Sequence, residues 1–320
     1  MRAKLSIALS ALAGMGWAVP NAGAAHLVSR PVARPVAREV RSVAALPLPA
    51  RFRLQKQSGL LLSVWLNGSG PYIFAIDTGA GLNVITENVA GEARLPFRIV
   101  RSTVMGGLTA ATISSNREAV ISQMALGDRG NTLPSQKTAL IVPSLSPGID
   151  GILDPTETYA PFGYSIDISN ERIEAVDTHW VSSQSRQLIT DGAVVPWLRL
   201  GGSNRPFVRL GDGRVALVDT GSGFGLAVSE RNAVIIGSNR GRRDSQSTRD
   251  IGGGTIFSRR VFPSTITIGE LVLRGIPTDI LSQVEDDAPV ILGRDALYPF
   301  KITFDPRRRL IEFVTSAEDN

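Results

Sequence analysis

Residues 74–80 read Phe-Ala-Ile-Asp-Thr-Gly-Ala, and residues 216–222 read Ala-Leu-Val-Asp-Thr-Gly-Ser. In both stretches an apolar run stops at Asp-Thr-Gly and one small residue, and apolar residues then resume. This pattern predicts a strand that ends in an acidic turn, where glycine lets the backbone bend. If the two strand ends face each other, Asp77 and Asp219 come within hydrogen-bonding reach. They would then share one proton, because two negative charges that close are not both stable.

Further landmarks follow each of these stretches. Residues 150–154 read Asp-Gly-Ile-Leu-Asp, and residues 290–295 read Val-Ile-Leu-Gly-Arg-Asp. A Pro-Phe pair, a Ser/Thr-x-Asp triplet and an Ile-Glu pair come next in both halves, at 161–162, 165–167 and 173–174 and again at 299–300, 303–305 and 311–312. Landmarks that recur in one order at nearly constant spacing indicate one module present twice. The chain is therefore predicted to be an internal duplication.

The sequence between the landmarks has the pattern of β-strands. Short apolar and β-branched runs alternate with glycine-containing turns, as at 61–66 and 72–76. The chain contains 32 glycines, and no long stripe of helical period is visible in its body. We therefore predict an all-β fold made of two homologous β-rich lobes, an N-terminal lobe at 53–182 and a C-terminal lobe at 190–316. Each is long enough to have its own core.

Residues 1–24 have the composition of a secretory signal peptide. Arg2 and Lys4 form a charged start, an apolar run occupies 5–19, and Ala-Gly-Ala at 22–24 fits the small-x-small cleavage rule. The apolar run is shorter than the roughly 20 residues that a membrane-spanning helix needs. We therefore expect cleavage, no membrane span in the mature chain, and export to a bacterial periplasm or into the medium.

A basic tail follows the predicted signal. The formal net charge of the chain is +5, but the basic excess lies in the first 56 residues and the remainder is mildly acidic. Residues 25–52 form a Pro/Arg-rich segment that is expected to be extended, either as a propeptide or as a linker without a specific role. The acidic body argues against a nucleic acid partner.

The chain lacks the catalytic residues of several other hydrolase classes. It has no cysteine, which excludes disulfides, thiolate metal sites and a cysteine nucleophile. Its two histidines are His26 in the tail and His179 near the junction of the two predicted lobes. Neither a Gly-x-Ser-x-Gly nor a His-Glu-x-x-His motif is present. The carboxyl pair is therefore the strongest chemical signal.

The paired landmarks resemble the aspartic proteases, and more narrowly the bacterial relatives of the retroviral, retropepsin-type enzymes. The similarity lies in the two Asp-Thr-Gly turns, in Ile-Leu-Gly-Arg-Asp-Ala-Leu at 291–297 and in Phe-Asp-Pro-Arg-Arg-Arg-Leu at 304–310. It covers roughly residues 55–176 and 200–315. The resemblance implies two lobes with the active site in the cleft between them. Because both lobes lie on one chain, a monomer is expected to suffice for a complete site.

The resemblance also implies a role for each residue of the two turns. Asp77 and Asp219 would be the catalytic dyad of an endopeptidase, one activating a water and the other donating a proton to the substrate carbonyl. The other turn residues would support them, the threonines by hydrogen bonds between lobes and the glycines by close approach: Thr78, Gly79, Ala80, Thr220, Gly221 and Ser222. The substrate would be a polypeptide in extended conformation, and no metal or organic cofactor is expected.

The fourth position of the motif differs between the halves, with Ala80 in the first and Ser222 in the second. A serine hydroxyl could donate a hydrogen bond to the outer oxygen of Asp219 and favour its ionised form. Alanine has no such donor. We therefore predict that Asp219 carries the negative charge and that Asp77 holds the proton.

Glycine-rich stretches lie at similar distances after the two aspartates, where the family has flaps that close over the substrate. Their residues are Met105, Gly106 and Gly107 in the first half and Gly252, Gly253 and Gly254 in the second. Ordinary hairpin tips are the alternative. The pepsin-type flap tyrosine has no counterpart, which favours the retropepsin side of the family.

Asp154 occupies a position where the family has a glycine. A carboxyl there would distort the site, point outward without effect, or mark a lobe that no longer supports catalysis. Two functions therefore remain open. One is an exported aspartic endopeptidase, and the other is a catalytically inactive protein of the same fold that binds peptides or a partner protein.

Overall fold

The structure, a computed structural model, describes residues 45–177, 192–201, 203–236, 245–249, 251, 253–285 and 288–316. The predicted signal peptide, most of the predicted tail, His179 and Gly252 lie outside these residues. Helices in the described residues are few and short, which confirms the all-β prediction. None of them is long and apolar enough to span a membrane.

The strands are β1 (Ala50–Arg51), β2 (Arg53–Gln55), β3 (Gly59–Leu66), β4 (Ser69–Ile76), β5 (Val84–Thr86), β6 (Phe97–Gly106), β7 (Thr112–Ile121), β8 (Met124–Leu126), β9 (Lys137–Val142), β10 (Gly151–Leu153), β11 (Gly163–Asp167), β12 (Arg172–Val176), β13 (Gly192–Pro196), β14 (Phe207–Arg209), β15 (Val215–Asp219), β16 (Leu226–Ser229), β17 (Ser245–Arg249), β18 (Thr255–Ile268), β19 (Leu271–Ser282), β20 (Val290–Gly293), β21 (Phe300–Asp305) and β22 (Leu310–Thr315). The helices are α1 (Glu87–Glu92), α2 (Pro155–Tyr159), α3 (Glu230–Ile236) and α4 (Arg294–Leu297).

The two halves of the chain build sheets of the same design. The first sheet has the order β2-β3-β4-β10-β5-β9-β7-β6, with β8 on β3, and the second has the order β14-β15-β20-β16-β19-β18-β17. In the first, β10 is parallel to β4 and antiparallel to β5, which is parallel to β9. In the second, β20 is parallel to β15 and antiparallel to β16, which is parallel to β19. The repeated topology follows the repeated landmarks of the sequence.

A third sheet joins the two halves. Its order is β1-β12-β11-β21-β22-β13, so strands of both halves alternate within it. At its centre β11 pairs with β21, and Tyr164 stacks on Phe304 with ring centroids 4.7 Å apart. The sequence prediction of two separate lobes did not include this shared sheet.

The core is formed by apolar side chains at alternate strand positions, as expected for strands with one buried face. In β3 and β4 the side chains with no exposed surface are Leu60, Leu62, Val64, Leu66, Phe74 and Ile76. The core begins earlier than predicted, because the last residues of the predicted tail belong to the fold. Ala50 pairs with Ile173, and Phe52 is 2% exposed.

Candidate active site

The two Asp-Thr-Gly turns stand at the ends of equivalent strands. Asp77 directly follows β4, and its N–H donates to the carbonyl of Leu153 at 3.0 Å. Asp219 is the last residue of β15 and pairs with Gly293 in β20. Each aspartate is thus held by a neighbouring parallel strand of its own half. This strand is β10 for Asp77 and β20 for Asp219.

The threonines of the turns connect the two halves. Thr78 Oγ1 donates to Val218 O at 2.7 Å, and Thr220 Oγ1 donates to Ile76 O at 3.1 Å. Each threonine hydroxyl also accepts the backbone N–H of the other threonine. Both side chains are fully buried. The four hydrogen bonds hold the turns together without contact to solvent.

Each carboxyl lies against the glycine of the opposite turn. A Cβ placed on Gly221 would lie 2.5 Å from Asp77 Cγ, and one placed on Gly79 would lie 2.9 Å from Asp219 Cγ. Both separations are shorter than van der Waals contact, so a side chain at either position would displace a carboxyl. Glycine in both turns therefore brings the two aspartates side by side.

Backbone N–H groups orient the carboxyls. Gly79 N–H donates to Asp77 Oδ1 at 2.7 Å, and Gly221 N–H donates to Asp219 Oδ1 at 2.9 Å. Ser222 N–H donates to the same Asp219 oxygen at 3.2 Å. Among the described residues Asp219 thus receives two backbone donors and Asp77 receives one. Donors of this kind stabilise the ionised form, and more so at Asp219.

The two carboxyls differ in how strongly they hold a proton. Burial raises the pKa of Asp77 well above its usual value, and the adjacent Asp219 carboxylate raises it further. Burial also raises the pKa of Asp219, but the hydrogen bond from Asp77, the N–H of Gly221 and the charge of Arg294 lower it. Because the groups are adjacent, they titrate as a coupled pair, and these influences favour protonation of Asp77 over protonation of Asp219.

The predicted reason for this asymmetry was wrong, although its direction agrees. The Ser222 hydroxyl accepts the N–H of Phe224 at 3.4 Å, and in the described part of the chain it makes no hydrogen bond to Asp219. The contribution of Ser222 comes from its backbone N–H. The difference between Ala80 and Ser222 therefore does not act through the side chain.

Arg294 is a neighbour of the dyad that the sequence analysis did not single out. Its Nη1 donates to the carbonyls of Thr220 and Gly221, both at 2.8 Å, and its Nη2 donates to Lys56 O at 3.4 Å. The residue is 6% exposed. A buried guanidinium therefore lies behind the Asp219 turn. The Gly-Arg-Asp segment in the sequence was the available signal, but its carbonyl partners are not visible there.

Asp154 points inward, so the predicted alternative of a harmless outward carboxyl was wrong. It is 1% exposed, and its Oδ1 accepts the N–H of Thr156 at the start of α2 at 3.0 Å. Within the described residues its Oδ2 has no hydrogen-bond partner. Burial raises the pKa of Asp154 to about 7. The carboxyl acts as a helix cap, and the Leu153 carbonyl before it still supports Asp77.

The predicted flap residues lie in two hairpins. The first hairpin is β6–β7, where Met105 and Gly106 end β6 and Gly107 enters the turn. The second hairpin is β17–β18, where Gly253 and Gly254 precede β18. Each hairpin forms the outer edge of its lobe's sheet. Among the described strands, β6 and β17 are each paired along one edge only.

The tips of the hairpins reach the opposite half of the molecule. Leu108 packs against the apolar cluster that includes Leu217 and Ile291, and its carbonyl accepts the N–H of Glu285 at 2.9 Å. Ile251 packs against the cluster of the first half that includes Val84 and Ile152. The tips also touch, because a Cβ on Gly254 would overlap the Thr109 hydroxyl. The two hairpin tips therefore meet each other and contact the apolar clusters of the opposite halves.

Among the described residues there is no group of three or more histidine, cysteine, aspartate and glutamate side chains that could hold a metal ion. What the site offers chemically is a pair of adjacent buried carboxyls with unequal proton affinity.

Comparisons with known proteins give matches to aspartic proteases in sequence and in fold. Residues 62–153, which include the first Asp-Thr-Gly turn, match the family model described as aspartyl protease. Among 380 solved chains that match in structure is the crystal structure of an aspartic proteinase from Irpex lacteus, with a TM-score of 0.54 and 11% sequence identity. The match covers 84% of this chain and 97% of that chain. No curated protein matches the sequence.

The family match lies within the first half of the described fold, and the structural match extends over both halves. The Irpex lacteus likeness, at 11% identity, concerns the fold alone. Residues 62–153 are thus similar to aspartyl proteases, and the fold of both halves is similar to that of an aspartic proteinase.

Proposed function

We propose that the protein is an exported aspartic endopeptidase that hydrolyses peptide bonds with a water held between Asp77 and Asp219. The observation that carries this proposal is the contact of each carboxyl with the glycine of the opposite turn. An ordinary acidic turn would not require two such turns to interlock through buried threonines. Support for the broader class comes from the aspartyl protease match of residues 62–153.

The chemistry follows from the unequal carboxyls. The ionised aspartate takes a proton from the water while the water oxygen bonds to the peptide carbonyl carbon. The protonated aspartate gives its proton to the carbonyl oxygen, which yields a neutral tetrahedral diol. When the diol collapses, the C–N bond breaks, the leaving nitrogen receives the proton taken from the water, and a diol hydroxyl returns a proton to the second aspartate. Both carboxyls are then in their starting states.

The substrate is proposed to bind as an extended polypeptide between the dyad and the hairpin tips. An extended chain can pair its backbone with the unpaired edges of such hairpins, as in β-strand addition. The apolar residues at the tips, Leu108 and Ile251, favour apolar substrate side chains beside them. A single chain contributes both aspartates, so a monomer would suffice, and no nucleic acid partner is proposed.

A second candidate is a catalytically inactive protein that binds peptides or a partner protein in the same cleft. Asp154 favours this reading, because it places a buried carboxyl directly after the residue that supports Asp77. If Asp154 ionises, a third negative charge lies near the dyad. Peptide binding would persist in this case, but no bond would be cleaved.

Export is proposed from residues 1–24, with the mature protein in a bacterial periplasm or in the medium. N-terminal sequencing of protein recovered outside the cytoplasm should begin after Ala24. Recovery of the intact N-terminus from the cytoplasm alone would contradict export without affecting the proposed chemistry.

The test of the activity is incubation of the purified full chain with an unfolded protein at pH values from about 3 to 8, the range in which carboxyl pairs titrate. Mass spectrometry of the products should find internal cleavage sites with apolar flanking residues. Tight peptide binding without products at any pH would support the inactive alternative.

A further inference from the structure

The Asp219 turn is supported by a buried cation. Behind the Asp219 turn, Arg294 begins α4 and directs three hydrogen bonds at backbone carbonyls, two of them within the turn itself. Space for the guanidinium is provided by Gly59 and Gly223, where an added Cβ would lie 3.4 and 3.1 Å from its nitrogens. The cation is therefore built into the C-terminal lobe rather than lying on its surface.

The N-terminal lobe has no cation at the equivalent position. Leu153 in β10 pairs with Ile76 just as Leu292 in β20 pairs with Val218. The residues that follow are Asp154 and Pro155 in the first half, against Gly293 and Arg294 in the second. A buried carboxyl and a proline thus replace the glycine and the arginine.

The charges around the dyad are consequently unequal. Asp219 interacts with Asp77 and with Arg294, and the guanidinium interacts most strongly with Asp219, less with Asp295 and least with Asp77. Asp77 faces Asp219 and Asp154, and Glu157 lies near Asp154. A cation favours a neighbouring carboxylate, whereas an acidic neighbour favours the protonated form. Both effects act in the same direction, toward an ionised Asp219 and a protonated Asp77.

We infer that Arg294 is a positioning residue that keeps the single proton of the dyad on Asp77 and thereby makes Asp219 the base that activates the water. Asp154 reinforces this assignment from the opposite lobe. The role of Asp219 as the base rests on the proposed peptidase function. The location of the proton itself is independent of whether peptides are cleaved.

A carboxyl titration followed by ¹³C NMR tests this location without requiring activity. The full chain is labelled at aspartate carboxyls, and the two signals are assigned by their loss in Asp77→Asn and Asp219→Asn. The Asp219 signal should titrate at the lower pH. In Arg294→Gln that lower pKa should rise by about one unit, whereas Arg294→Lys, which keeps the charge, should stay near wild type. Arg172→Gln, which removes an exposed arginine of the shared sheet, is the matched control and should leave both signals unchanged.

Asp154→Asn provides a second measurement if Arg294→Gln does not fold. Asparagine also caps a helix, so this variant should fold and should lower the pKa of Asp77. Where cleavage is detectable, the acid limb of the pH–rate profile should move upward in Arg294→Gln by the same amount as the Asp219 signal. The inference is overturned if Asp77 titrates at the lower pH, or if neither folded variant moves its carboxyl. Absence of cleavage with the predicted titrations would overturn the proposed function and leave the proton assignment in place.

Discussion

Thr78 and Thr220 each donate a backbone N–H to the other's hydroxyl, at 3.2 and 3.0 Å, although they lie 142 residues apart in the chain. Each hydroxyl donates in turn to a carbonyl of the opposite half. The dyad is thus held by a reciprocal set of buried hydrogen bonds. A buried N–H or carbonyl that loses its hydrogen-bond partner lowers the stability of the fold, because water cannot reach it to replace the lost bond.

Thr78→Val should therefore destabilise the protein. Valine keeps the shape of the side chain but leaves the Thr220 N–H and the Val218 carbonyl without their partner. We expect a loss of about 1–3 kcal/mol in the free energy of unfolding, measured by urea denaturation. Thr78→Ser keeps the hydroxyl and should lose clearly less. Equal losses in the two variants would show that packing, not hydrogen bonding, joins the turns.

Gly221→Ala should disrupt the dyad, because the new Cβ would lie 2.5 Å from Asp77 Cγ. Displacement of a reacting group by about 1 Å costs on the order of 100-fold in rate, and we expect at least this loss of cleavage. Gly91→Ala is the matched control, since nothing lies within 4 Å of its added Cβ. Unchanged cleavage by Gly221→Ala would mean that the carboxyls are not used in this geometry.

Asp154 should make the stability of the protein depend on pH. Burial raises its pKa to about 7 in the folded state, above the unfolded value of about 3.9. The folded state therefore binds more protons between these values, and stability falls as the pH rises through this window, by roughly 4 kcal/mol in total. Asp154→Asn cannot ionise, so it should be more stable than wild type at pH about 8 and similar at pH about 4.

Urea denaturation at both pH values measures this difference. Asp212→Asn serves as the control of opposite sign, because the hydrogen bond from Arg214 lowers the pKa of Asp212. That variant should gain nothing at the higher pH. If Asp154→Asn loses stability with rising pH as steeply as wild type, the buried carboxyl is not the cause.

Leu108→Ser should weaken substrate binding, because Leu108 brings the tip of the first hairpin onto the opposite apolar cluster. Loss of this contact is worth about 1–2 kcal/mol, so KM should rise about tenfold with little change in the free energy of unfolding. Ile99→Ser, at a 68% exposed position of the same hairpin, should leave KM unchanged. A larger effect on unfolding than on KM would assign Leu108 to the core instead.

Much of this architecture follows from sequence patterns. The apolar runs that end at Asp77 and Asp219 predicted the facing turns, because a strand end and a glycine turn are local features. Arg294 and Phe52 could not be placed in the same way. Arg294 binds carbonyls of Thr220 and Gly221, which carry no side-chain signal, and Phe52 is buried only because β1 pairs with the distant strand β12.

The role of Ser222 also could not be predicted from its residue type. Its type suggested a side-chain hydrogen bond to Asp219, but the turn directs its backbone N–H there and its hydroxyl to Phe224. Asp154 likewise required the structure, since its effect depends on burial and on an oxygen without a partner. Composition alone does not reveal either property.

The most direct test of a shared dyad compares cleavage of an unfolded protein by wild type, Asp77→Asn and Asp219→Asn, all shown to be folded by circular dichroism. Each substitution keeps the size of the side chain but removes an acid or base, which contributes on the order of 100- to 10,000-fold in rate. We expect cleavage by wild type and a loss of that magnitude in both variants. Wild-type activity in either folded variant, or no cleavage by folded wild type at any pH, would contradict it.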